Sequence, residues 1–221
     1  MTEKQRIKEM LVILEEPIEE ATQGTRYDVP WIMALTNREC GWKFQREVEK
    51  GKDPREVLEN MKGDYGKRPG ETKEQYHGFS PFQIDKDTAP QFGRLMINRG
   101  EWTDLFKAAK VCIAVLEEKR DYLDAQGMAE EKLGTNLYNR AITAAYNCGQ
   151  GRVVKALRAG VDVDRFTYSG DYSKDVFRVI PIVHEIIREQ HGEMHADAIE
   201  GEDIEVSPEP KPAETSNENE A

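Results

Sequence analysis

Apolar residues in this chain recur at helical spacing and almost never alternate, and that regularity restricts the fold more than any single residue does. A half-buried strand needs period two, whereas a half-buried helix needs a stripe at every third or fourth position. Ile7, Met10, Leu11 and Leu14 make such a stripe and predict a first helix over residues 1–16, stopped before Pro17. Asp28 offers an N-cap and Pro30 a first-turn residue for a second helix, which carries Trp31, Met33, Ala34 and Leu35 as far as Glu39. Residues 54–61 suit a short helix. Leu105, Phe106, Ala109, Cys112, Ile113 and Leu116 predict a long one, capped by Thr103 and ending near Gly127. Leu137, Ala141, Ala144 and Ala145 give 136–147 a small-residue face, Gly149 and Gly151 close it, and another short helix spans 152–159. Val176, Val179, Ile180, Val183 and Ile187 predict a last helix from Tyr172 to Glu189, kinked at Pro181. Between Gly41 and Gly78 the chain is polar and broken by glycines, so this stretch is expected to form cleft-building loops, with a small hairpin near 76–85. The expected fold is mainly α, a helical domain with that hairpin beside a cleft.

Composition fixes the domain count and excludes some partners. A chain of 221 residues, 38% hydrophobic and 33% charged, suits one domain with a substantial core. Its net charge is −11, but residues 193–221 hold ten acidic residues and one lysine, which leaves −2 for residues 1–192. The expected organisation is one folded domain over 1–192 and an acidic, disordered tail over 193–221. Neither part attracts a phosphate backbone or an anionic membrane, so no nucleic-acid partner is expected. No run of 18 apolar residues occurs, hence no membrane span. Residues 1–6 are too charged for a secretory signal core, so the protein is expected either to start in the cytoplasm or to have lost a signal. Three cysteines, Cys40, Cys112 and Cys148, are too few and odd in number for a disulfide framework, which makes reduced thiols the default.

Three short blocks carry the chemistry: Asn37-Arg38-Glu39, Tyr76 to Asp85, and Ala144-Ala145-Tyr146-Asn147-Cys148-Gly149. Cleaving a glycosidic bond requires a carboxylic acid still protonated near neutral pH, and burial beside apolar groups produces one. Glu39 follows an apolar helix face and precedes Cys40, Gly41 and Trp42, while Arg38 points about 100° away from it around the helix. A helical glutamate is also compatible with a structural or solvated role. Other groupings point to no chemistry. His184, His191 and His195, near Glu185 and Glu189, read as surface residues, and Cys40 with His77 has no oxyanion hole. Gly149-Gln150-Gly151 lacks the strand and third glycine of a nucleotide loop.

These blocks resemble those of goose-type lysozymes and soluble lytic transglycosylases. Asn37-Arg38-Glu39-Cys40 is similar to their Ser-Arg-Glu-Ser or Gln-Glu-Ser block, and Gly78 to Lys86 to their Gly-Phe-Gly-Leu-Met-Gln-Val-Asp-Lys turn. Ala144 to Gly151 is similar to their Ala-Ala-Tyr-Asn-Ala-Gly-x-Gly, Gly63-Asp64-Tyr65-Gly66 to their Gly-Asp-x-Gly, and Asp171 to Val176 to their late Asp-Tyr-Ala-x-Asp-Val helix. The match runs from Trp31 to His191. The resemblance implies an α+β lysozyme-like fold acting on peptidoglycan glycan strands, as a monomer without cofactor or metal. It assigns Glu39 as general acid, and Asp85 and Asp64 as holders of the attacking water. Tyr146 is expected to orient Glu39, and Asn147 to bind sugar. Gly78, Phe79, Phe82 and Gln83 are expected to line the cleft, with Tyr168 at its edge. The alternatives for these residues are structural: Asp64 shaping a turn, Asp85 capping a helix, Tyr146 as a core tyrosine.

Three departures from the pattern stand out. Ser80-Pro81-Phe82 replaces Gly-Leu-Met, the Glu39–Asp64 and Asp64–Asp85 spacings of 25 and 21 positions are long, and cysteines follow Glu39 and Asn147. The convergence that the resemblance implies allows Cys40 and Cys148 to pair in an oxidising compartment. The expected activity is hydrolysis of the β-1,4 bond between N-acetylmuramic acid and N-acetylglucosamine by a secreted enzyme or phage-type lysin. The alternatives are a lytic transglycosylase, which leaves 1,6-anhydromuramic ends, and a glycan-binding protein without turnover.

Overall fold

Helices make up 69% of the structure and strands 6%, in keeping with the apolar spacing. The computed structural model describes residues 1–200, with side chains as far as 192. Met1–Ile186 form one body, and Ile187 onward a second unit.

Helix α1 (Glu3–Thr22) opens with a capping box, in which the Thr2 hydroxyl accepts from the Gln5 amide and the Gln5 side chain accepts from the Thr2 amide. Pro17 lies inside this helix and does not end it. Losing a helical hydrogen bond to proline costs about 3 kcal/mol. Ile7, Met10, Leu11, Leu14 and Ile18 are all fully buried on one stripe, and each contributes about 1.5–3 kcal/mol of burial. Packing therefore outweighs the proline.

Helix α2 (Val29–Val48) begins as expected, with Asp28 accepting from the Trp31 amide at 2.9 Å. It continues past Glu39 to Val48, so Glu39 sits mid-helix, and α2 includes the first residues expected to be loop. Gly41, where the expected loop stretch begins, lies inside the helix and serves close approach. A Cβ on it would lie 2.6 Å from Asn37 Oδ1 and 2.9 Å from Arg6 Nε. The missing side chain lets the buried Arg6 cross from α1 and donate to Asn37 at 2.9 Å.

After α3 (Pro54–Glu59), capped by Asp53, a three-stranded antiparallel sheet forms in the order β1 (Lys62–Gly66), β2 (Gln75–Phe79), β3 (Ile84–Asp85). The hairpin near 76–85 is thus part of a larger sheet. Strand β1 escapes the sequence reading because Lys-Gly-Asp-Tyr-Gly has little strand propensity. It pairs Gly63 with Gly78 and Tyr65 with Tyr76.

Next come α4 (Gln91–Asn98), α5 (Leu105–Ala125), α6 (Glu130–Leu133), α7 (Thr135–Cys148), α8 (Gln150–Arg158) and α9 (Tyr172–Glu200). Asp104, not Thr103, caps α5 by accepting from the Lys107 amide at 3.0 Å. Helix α5 is the central rod, packed on α1, α7 and α8 and reaching β3. Its Ala108, Ala109, Cys112 and Leu116 are fully buried. Helix α9 runs on to Glu200, beyond the expected end near Glu189 and into the stretch expected to be disordered. The remainder of the expected tail, 201–221, lies outside the described residues, as does the His195 side chain.

Candidate active site

Glu39 lies one turn beyond the fully buried Leu35 and Thr36 of α2. Its side chain is mostly enclosed, with part of its surface still open. Its Oε1 accepts a hydrogen bond from the Tyr172 hydroxyl. Burial pushes the carboxyl up from 4.5 to about 7, against the opposing pulls of the Tyr172 bond and the Arg38 charge. Desolvation prevails because no described cation pairs with Glu39. Arg38 turns instead to the first turns of α9, where it meets Asp171 and Asp175 at 2.8 Å each.

Tyr172 is held firmly at this spot. Arg38 stacks over its ring, 5.7 Å from the centroid. The fully buried Asp164 accepts from the Ser173 amide at 2.8 Å, the Ser173 hydroxyl at 2.7 Å and the Lys174 amide at 3.2 Å. It thereby satisfies the free amides at the start of α9, and Arg140 balances its charge at 3.3 Å. The hydrogen bond to Glu39 expected of Tyr146 is thus made by Tyr172. Tyr146 donates to the Phe82 carbonyl at 2.7 Å and so ties the end of α7 to the turn before β3. Its environment is still shared: burial above all, then the Cys112 thiol, Glu39 and Tyr172, push the Tyr146 hydroxyl well above its usual range. Neither Tyr172 nor Asp164 was singled out from sequence. The signal available for Tyr172 was the Asp171-Tyr172 block at a helix start, and Asp164 lies outside it.

The two aspartates occupy a different environment. Arg68 Nη2 contacts both Asp85 Oδ2 and Asp64 Oδ2, while its Nη1 meets Asp87 Oδ2 at 2.8 Å. Asp85 Oδ1 also accepts from the Asp87 and Thr88 amides at 2.8 and 3.0 Å, an Asx turn. Burial pushes Asp85 up, but Arg68 and these amides outweigh it and hold the carboxyl below its usual range. Asp64 is mostly exposed and has a left-handed backbone, φ 49°.

A cavity of about 370 Å³ opens between the end of β3 and the end of α7, lined by Gln83, Asp85, Tyr146, Asn147, Lys119 and Gln150. Glu39 is not among its lining residues, though its charge acts on Tyr146, which is. Gln83 lies over the sheet where Gly63 and Gly78 face each other, and a Cβ on Gly63 would fall 1.8 Å from Gln83 Oε1. Its amide nitrogen donates to the Ser80 carbonyl at 2.9 Å. Both glycines thus make room for one glutamine. Ser80 has φ 65°, a conformation suited to glycine, and its hydroxyl accepts from the Phe82 amide at 3.3 Å. Comparison with family models, curated proteins and solved structures finds no match.

Phe82 is fully buried, so its ring belongs to the core and only its backbone approaches the site. Phe79 packs edge-on against Trp102, with centroids 5.6 Å apart. Asn147 is exposed and accepts from the Tyr168 amide at 3.0 Å, and the Tyr168 side chain is 80% exposed. Cys40, Cys112 and Cys148 are free thiols, as the reduced default has it, and the Cys40–Cys148 pairing allowed for an oxidising compartment is not formed.

Proposed function

We propose that this chain cleaves the β-1,4 bond between N-acetylmuramic acid and N-acetylglucosamine in peptidoglycan, with Glu39 as general acid. One observation carries the reading: a carboxyl enclosed by protein, oriented by a tyrosine and raised to about 7. At neutral pH such a group is partly protonated, and its proton is transferable to a leaving glycosidic oxygen. An ordinary surface glutamate is fully ionised there.

Asp85 supports hydrolysis in a limited way. Its Oδ1 accepts two amide bonds and its Oδ2 one guanidinium bond, which leaves one lone pair to orient a water. A strongly ionised, Arg-paired carboxylate is a weak base. The hold of Arg68 on both aspartates favours a second reading, lytic transglycosylation, in which a sugar hydroxyl attacks and no second carboxylate is needed.

Mass analysis of products from purified peptidoglycan tests both readings. Reducing ends support hydrolysis, 1,6-anhydro ends support transglycosylation, and binding without products contradicts the assignment of Glu39.

A further inference from the structure

The side of the sheet that carries Arg68 holds a second cluster that the cleavage chemistry does not use. One donor atom from each of Glu71, His77 and Asp87 lies within 4.8 Å of the other two. They come from three segments: the connection between β1 and β2, strand β2 itself, and the turn after β3.

His77 is the informative member. The residue is only 1% exposed, and its Nδ1 is buried without a hydrogen-bond partner. Its Nε2 hydrogen-bonds the Gly66 carbonyl at 3.4 Å, while Glu71 Oε2 lies 3.2 Å from the same nitrogen without hydrogen-bond geometry. The Gly66 carbonyl assigns the ring proton to Nε2 and leaves the lone pair on Nδ1. That lone pair lies 3.6 Å from Asp87 Oδ2. The distance is too long for a hydrogen bond, and in the neutral tautomer two electron-rich atoms face each other. It is close to the roughly 3.4 Å that separates two ligands of a tetrahedral ion with bonds of about 2.1 Å.

The charge fits as well. Asp64, Glu71, Asp85 and Asp87 supply four negative charges, and the cations in contact with them are Arg68 and Lys86. Two negative charges are left uncompensated, which matches one divalent cation.

We propose that Glu71, His77 and Asp87 bind one divalent transition-metal ion of the Zn²⁺ class. An imidazole with two carboxylates selects this class over Ca²⁺ or Mg²⁺, which take all-oxygen sets. Binding draws Asp87 from its partly exposed pair with Arg68, a weak interaction in water. It leaves that guanidinium to Asp64 and Asp85. The ion pins the β1–β2 connection to the turn that carries Asp85. The inference is independent of the proposed cleavage activity.

The test is calorimetric titration of the chelator-treated full chain with Zn²⁺ at pH 7.5, together with thermal melts in Zn²⁺, in Ca²⁺ and in chelator. One equivalent of Zn²⁺ is expected to bind and to raise the Tm by roughly 5 °C, with no response to Ca²⁺. Asp87→Asn, at a half-exposed position, is expected to fold normally and to weaken binding at least about tenfold. His77→Gln is expected to abolish it. No saturable Zn²⁺ binding to the native chain, or binding that Asp87→Asn leaves unchanged, overturns the site.

Discussion

Two acidic corners of this molecule use the same functional group in opposite ways. At Glu39 the carboxyl is enclosed by helices, touched by a neutral tyrosine, and raised to about 7. At Asp85, some of the same desolvation is present, but a guanidinium and two amides hold the carboxyl down. Burial alone therefore does not make an acid. What separates the corners is where the nearest arginine points: Arg38 is committed to Asp171 and Asp175, whereas Arg68 is aimed at Asp64, Asp85 and Asp87. The first corner keeps a carboxyl that holds its proton to higher pH, the second one that stays charged.

The largest expected effect comes from removing the acid. Glu39→Gln should lower peptidoglycan cleavage by about 10³-fold while leaving glycan binding intact; full activity in this variant would remove the basis of the assignment. The same variant carries a stability consequence. A carboxyl raised in the fold from 4.5 to about 7 contributes fully below 4.5 and loses that contribution as pH climbs through about 7. The swing is about 3 kcal/mol. Denaturant melts should therefore show Glu39→Gln gaining on the native chain between pH 4.5 and 8, and parallel curves would mean that Glu39 is not desolvated.

Arg68→Gln probes the other corner. Asp85 should rise once the guanidinium is gone, and reducing-end products should fall about tenfold if Asp85 orients water; 1,6-anhydro products should be unaffected. Tyr172→Phe removes the bond that favours the Glu39 carboxylate, so the alkaline limb of the rate profile should move to higher pH, with at most about a tenfold loss of rate. The smallest effect is expected from Ser80→Gly. Relief of the left-handed serine, about 1 kcal/mol, is offset by loss of the bond to the Phe82 amide, about as large. A change in unfolding free energy above about 1 kcal/mol in either direction would contradict this balance.

Local signals were legible in the sequence, and signals decided by packing were not. Asp28 and Pro30 mark the start of α2 because capping is a matter of a few adjacent residues. Pro17 looked like a stop and Gly41 like the start of a loop, yet the stripe of α1 and the crossing of Arg6 override both. Strand β1 had no pattern to reveal it, since its Gly63 serves Gln83 and not the strand. The enclosed setting of Glu39 was legible from the apolar helix face before it. Which tyrosine reaches it was not, because Tyr146 and Tyr172 both lie in such blocks and only the fold decides between them. Arg68 belongs to no block at all, and its hold on two expected catalytic aspartates emerges only when β1, β3 and their connections come together.

The central claim is that Glu39 holds its proton near neutral pH. A ¹³C NMR titration of the Glu39 side-chain carboxyl, assigned by loss of the signal in Glu39→Gln, measures this directly. The account predicts a midpoint at about 7. A midpoint at the ordinary value of 4.5 would contradict it.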